Sequence, residues 1–185
     1  MSKIKTIRSR ITRDYCRTIL WVDDQIKLSE TDEVLSERYR SLFLPTAQAI
    51  HQEGVICQLQ PVSQTGLTGD PDETPEELSA VKNMAKSADV LILDWHLAGS
   101  DPTHCISIIE SLLGVKETRF ILILTQHGRA TEEFKRSFAG RFSMDGEFAL
   151  SKDGKHVAFM QKPSEGGKEA ATNILAVIEL SLIHI

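Results

Sequence analysis

The chain has 185 residues, enough for one well-buried core and short for two domains. Its 41% hydrophobic and 25% charged residues suit an ordinary globular protein, and a net charge of -5 excludes a general electrostatic case for nucleic-acid binding. No apolar run reaches the roughly 18 residues of a membrane span, and no signal-like leader opens the chain. Cys16, Cys57 and Cys105 are odd in number and lack metal-ligand spacing, so they read as reduced thiols. The expectation is a soluble, cytoplasmic protein.

Residues 1–17 are rich in Lys and Arg and read as a basic, solvated N-terminal tail, with no aromatic interleaving to suggest nucleic acid. Ile19-Leu20-Trp21-Val22 is the first strand candidate and stops at Asp23-Asp24. A helical pattern follows from about Ser29 to Glu53, which Pro45 should kink or divide and Gly54 should end. Val55 to Leu59 reads as a second strand, and Gln60 to Thr74 as an exposed loop. Thr74 and Pro75 open a helix running to about Ser87.

Val90-Leu91-Ile92-Leu93 is apolar enough for a strand buried on both faces, and it ends at Asp94. A helix over Thr103 to Leu113 closes at Gly114, a strand over Phe120 to Leu124 ends at Thr125, and a helix covers about Thr131 to Ala139. Glu147 to Leu150, the turn Ser151-Lys152-Asp153-Gly154 and Lys155 to Gln161 form a predicted β-hairpin. Its second arm is the fifth strand of the main sheet and ends at Lys162-Pro163. A last helix starts near Glu165. The final segment, residues 180–185, matches the in-frame translation of a common sequencing-library adapter and is expected to be a non-native artefact. The domain proper spans residues 18–179.

This alternation of strands and helices predicts an α/β fold, and ligands of such sheets sit beyond the carboxyl ends of the strands. Asp23, Asp24, Asp94, Thr125 and Lys162 all fall at such ends. Three adjacent carboxylates repel by several kcal/mol at an effective dielectric of about 20, a burden that a hard divalent cation removes. A carboxylate nucleophile beside a metal, an ammonium and a hydroxyl has the parts of a phosphoryl-transfer site.

The four segments ILWVDD (19–24), LILD (91–94), LILT (122–125) and FMQKP (159–163) together resemble the marker segments of response-regulator receiver domains of bacterial two-component phosphorelays. The resemblance implies a flavodoxin-like, doubly wound, five-stranded parallel sheet of order 2-1-3-4-5, here with an extra hairpin arm before the last strand. It implies Mg²⁺ held by Asp23, Asp24, Asp94 and the backbone carbonyl of His96, with Asp94 as phosphoacceptor. It further implies that Thr125 and Lys162 contact the phosphoryl group, that the peptide before Pro163 is cis, and that Thr125 and Phe159 move together as a switch. The implied partners are a histidine kinase or phosphotransfer protein and an output domain or effector outside this chain, with no membrane and no direct nucleic-acid contact.

The chain also departs from the family pattern. Extra length falls between Asp24 and Asp94 and between Thr125 and Lys162, and Gln126 stands where the family prefers a very small residue. Two other functions fit the same residues. One is a phosphorylation-independent interaction module, or pseudo-receiver. The other is a Mg²⁺-dependent aspartyl-phosphate phosphatase, disfavoured because His96 stands where such enzymes place an acidic residue. The chain is therefore expected to be no enzyme beyond its own phosphorylation and dephosphorylation. His127, like the side chain of His96, reads as an ordinary polar residue, and Trp21 and Trp95 as sheet packing.

Overall fold

The computed structural model describes residues 16–26, 37–63, 76–97, 101–116, 118, 120–126 and 128–183. Strand β1 (Thr18–Asp23) precedes a π-helical segment (Tyr39–Phe43) and helix α1 (Leu44–Gln52). Then come β2 (Ile56–Pro61), α2 (Glu76–Ala85), β3 (Val90–Asp94), α3 (Thr103–Leu112), β4 (Phe120–Thr125) and α4 (Ala130–Ser137). The chain continues through β5 (Phe142–Asp145), β6 (Phe148–Ser151), β7 (His156–Gln161) and α5 (Lys168–Ile183).

One sheet of seven strands runs in the order β2-β1-β3-β4-β7-β6-β5. The pairings β1 with β2, β1 with β3, β3 with β4 and β4 with β7 are parallel, so β2-β1-β3-β4-β7 reproduces the expected 2-1-3-4-5 order. The sheet nevertheless has two more strands than the five expected. β6 pairs antiparallel with β7, as the predicted hairpin requires, and β5 adds a further antiparallel strand.

Alternation along the strands divides the core between two faces. Leu20, Val22, Leu91, Leu93, Ile121 and Ile123 pack with residues of α2, α3 and α4. Ile19, Trp21, Val90, Ile92, Leu122 and Leu124 pack on the other face with residues of α1 and α5. The middle strands are buried up to their last residues, Asp94 and Thr125, which accounts for the unbroken apolar sequence before them.

Pro45 divides the first helix as expected, and the division has a definite form. The π-helical turn ends at Phe43, and the proline sits in the first turn of α1, where its missing N–H costs least. Pro45 can give no hydrogen bond to the Ser41 carbonyl four residues back, and Gly166 N–H donates to that carbonyl at 2.8 Å.

Several boundaries shift. β2 extends through Gln60 and Pro61, which were expected in the following loop. The rest of that loop, the cap at Thr74 with Pro75, and residues 29–36 of the first helical pattern lie outside the described residues. α4 begins at Ala130 rather than Thr131, and α5 starts at Lys168 and runs on through Ile183. Gly54 and Gly114 close their helices at positive φ, 86° and 83°. The peptide before Pro163 is trans, the isomer an X–Pro bond prefers, and this corrects the cis expectation.

Candidate functional site

The parallel strands deliver their polar ends to one edge of the sheet. Asp23 closes β1 and Asp94 closes β3, while Lys162 follows β7 directly. Two backbone bonds fix these tips side by side. Trp95 N–H donates to Leu124 O at 3.0 Å, and Lys162 N–H donates to Thr125 O at 3.0 Å.

The two strand-end aspartates use their oxygens alike. Asp23 Oδ1 accepts Gln25 N–H at 2.9 Å and Asp94 Oδ1 accepts His96 N–H at 3.2 Å, so each carboxylate caps the turn after its strand. Their Oδ2 atoms meet at the Lys162 ammonium. Lys162 Nζ lies 2.6 Å from Asp23 Oδ2 and donates to Asp94 Oδ2 at 2.7 Å. The Lys162 side chain is fully buried, as is that of Asp23, whereas 13% of the Asp94 side chain remains accessible. The acceptor candidate is thus the member of this triad that a donor can reach.

The fit to a divalent cation rests on two observations. Asp23, Asp24 and Asp94 each offer a carboxylate oxygen, and these oxygens lie within 4.8 Å of one another. Hard oxygen donors converging in this way suit Mg²⁺, which takes one or two carboxylates and keeps waters. In addition, one buried ammonium faces the carboxylates of both Asp23 and Asp94. Burial pushes the Asp23 carboxyl up to about 6, with Lys162 pulling it down and Asp94 adding to the rise. The residues therefore fit a bound divalent ion.

The comparison with protein families decides the identity: the response receiver domain matches residues 15–166. The chain belongs to the response receiver domain family. A search of curated proteins finds no match. Among solved structures, one described as a "Putative quinone reductase" from Klebsiella pneumoniae is similar with a TM-score of 0.41 at 11% identity, covering 90% of this chain and 84% of that chain. A likeness that weak carries no argument about chemistry.

Not every residue singled out in this receiver domain joins the acidic cluster. Thr125 ends β4 one residue beyond Leu124, the register partner of Asp94. Together with Gln126, Glu147, Phe159 and Gln161 it lines a cavity of about 380 Å³. Phe159 is 5% exposed and already packs edge-on to Phe134 at 5.2 Å between ring centroids. The His96 side chain faces Glu133, with Nε2 to Oε2 at 3.7 Å. His127 lies outside the described residues. The cysteines are free, as expected; burial pushes the Cys16 and Cys57 thiols up to about 12 and holds Cys105 well above the usual thiol range, so they stay protonated and inert.

Two residues near the site escaped sequence reasoning. Glu133 on α4 accepts the Trp95 indole N–H at 2.7 Å, which ties the residue after Asp94 to the neighbouring helix. Its only sequence signal is an acid in the first turn, where most acids merely favour the helix dipole. The Phe43 ring lies beneath the Lys162 ammonium, 5.7 Å from Nζ to centroid. No spacing rule links those two positions.

Proposed function

We propose that this receiver domain accepts a phosphoryl group on Asp94 in a Mg²⁺-dependent reaction, and that the aspartyl phosphate changes its binding to an output module. The observation that carries this reading is the buried ammonium of Lys162, 2.6 Å from Asp23 and 2.7 Å from Asp94, beside three converging carboxylates. A structural ion pair needs one carboxylate. A site that must gather an anionic phosphoryl group needs the extra oxygens and a cation in waiting.

Asp23, Asp24, Asp94 and the backbone carbonyl of His96 are the groups that would hold Mg²⁺, which supplies charge neutralisation on the transferring phosphoryl oxygens. An Asp94 carboxylate oxygen attacks phosphorus in line, forming an acyl phosphate while the bond to the donor nitrogen or oxygen breaks. Lys162 holds an equatorial oxygen, and the Thr125 hydroxyl donates a hydrogen bond to another. The product exchanges about one negative charge for about two at the tip of β3. The drawing of Thr125 toward that charge opens room beside Phe159 and alters the α4 face. The donor is a histidine kinase or phosphotransfer protein, and the output module is another protein or a segment beyond this chain. The receiver domain turns over no separate substrate.

Incubation with phosphoramidate and Mg²⁺, followed by intact mass measurement, tests this directly. One added phosphoryl group, lost in Asp94→Asn and in EDTA, is expected. Unmodified protein would identify a pseudo-receiver, and steady release of phosphate would identify a phosphatase.

A further inference from the structure

Lys162 has two carboxylate partners, and what fixes its third side is supplied by an aromatic ring. Phe43 is fully buried, and its own ring is braced edge-on by Trp21 at 5.2 Å and 69°. The face of an aromatic ring carries negative charge density and attracts an ammonium within about 6 Å. A buried ring in this place also denies the ammonium any solvent on that side.

The backbone around Phe43 is built to hold it there. Phe43 is the last residue of the π-helical turn, where wider hydrogen bonding displaces side chains from the path an α-helix would give them. The loop after Lys162 is fastened to the same turn. Gly166 N–H donates to Ser41 O at 2.8 Å, Gly167 N–H donates to Thr46 Oγ1 at 3.1 Å, and Thr46 Oγ1 donates to Leu42 O at 2.6 Å. A Cβ at Gly166 would lie 2.3 Å from Leu42 O, so only glycine permits this approach. The chain thereby binds the segment that carries the ammonium to the segment that carries the ring.

We infer that Phe43 is a positioning residue for Lys162, its ring face holding the ammonium between Asp23 and Asp94 in the place from which it serves phosphoryl transfer. The catalytic use of Lys162 rests on the function proposed above, whereas the ring–ammonium contact does not. Phe43 touches no reacting atom, and its effect passes through Lys162 alone.

The test uses the full chain with phenylalanines of rising fluorine content incorporated at position 43, together with Phe43→Leu. Fluorination empties the ring face of negative charge while nearly preserving its size. The side-chain Hε and Cε resonances of Lys162, assigned by their loss in Lys162→Arg, should show a ring-current displacement in the native protein. Phe43→Leu should abolish that displacement. The pentafluoro variant should lose most of it as the ammonium leaves the ring. The rate of phosphorylation by phosphoramidate should fall in step with fluorine content, by about three- to tenfold at five fluorines. A Lys162 signal with no displacement, or one indifferent to both changes at position 43, overturns the inference. So does an unchanged rate across the fluorinated series. The resonance measurement needs no phosphorylation, so it decides the contact even where Asp94 takes no phosphoryl group. The fluorinated series decides it even where Phe43→Leu does not fold.

Discussion

Both ends of the parallel sheet hold charged side chains, and they treat them differently. At the amino ends of the strands, Asp89 Oδ2 accepts Arg17 N–H, Thr18 N–H and the Thr18 hydroxyl at 2.9 to 3.0 Å, and Asp89 N–H returns a bond to Thr18 Oγ1. Nearby, the buried Lys155 ammonium donates to Thr118 O at 2.7 Å. These are donors matched to acceptors, and they hold β1, β3 and the start of β7 in place. At the carboxyl ends, Asp23 and Asp94 face a single buried ammonium and burial lifts the Asp23 carboxyl to about 6. One end spends its charges on architecture. The other keeps like charges close at a cost to the fold, as sites of chemistry do.

The sharpest way to break this contrast is Asp94→Asn, which should lower phosphoryl uptake by more than about a hundredfold, read by intact mass, while chemical unfolding stays near native. Asp89→Ala should do the reverse. It strands two backbone donors and a hydroxyl and should cost about 2–3 kcal/mol in urea unfolding, with Mg²⁺ binding unaffected.

Asp23→Asn sharpens the comparison because its sign is opposite. The folded-state pKa of Asp23 is raised, so between about 4 and about 6 the folded protein holds more protons than the unfolded one. Metal-free stability should therefore fall as pH rises through that window and level off above it. Removing the carboxylate should raise metal-free stability at neutral pH by on the order of 1–3 kcal/mol and erase that slope. Under the proposed function, added Mg²⁺ should stabilise the native protein and leave Asp23→Asn unchanged. A metal-free Asp23→Asn protein less stable than native at pH 7.5 would sink the view that this end is strained. The smallest effect is expected at Glu110→Ala, which removes a surface pair to Arg141 at 2.9 Å and should cost under about 1 kcal/mol.

The parallel part of the fold was legible because its signals are local. Four apolar runs closed by Asp, Thr or Lys give the strands, their direction and the edge at which the site lies. Asp23, Asp24, Asp94 and Lys162 converge as that pattern requires. β5 was equally readable but missed. Phe142-Ser143-Met144-Asp145 alternates apolar with polar, and Gly146-Glu147 after it forms the two-residue turn of a tight hairpin, with Gly146 at φ 59°. The Phe43–Lys162 contact was not readable at all. It depends on a π-turn, a proline and a glycine more than a hundred residues apart, and on a packing geometry that no periodicity encodes.

The extra hairpin has a consequence for recognition. In a five-stranded sheet of this order, the last parallel strand lies at the border and offers its flank to whatever docks beside α4. Here β6 occupies that flank along Phe148–Leu150, and β5 becomes the new border, with Phe142 joined to Phe134 and Phe138 in an aromatic cluster that also contains Phe159. A protein shaped to a bare fifth strand would meet a different outline here. Through Phe134, the packing of Phe159 reaches Phe142, a residue of the added border strand.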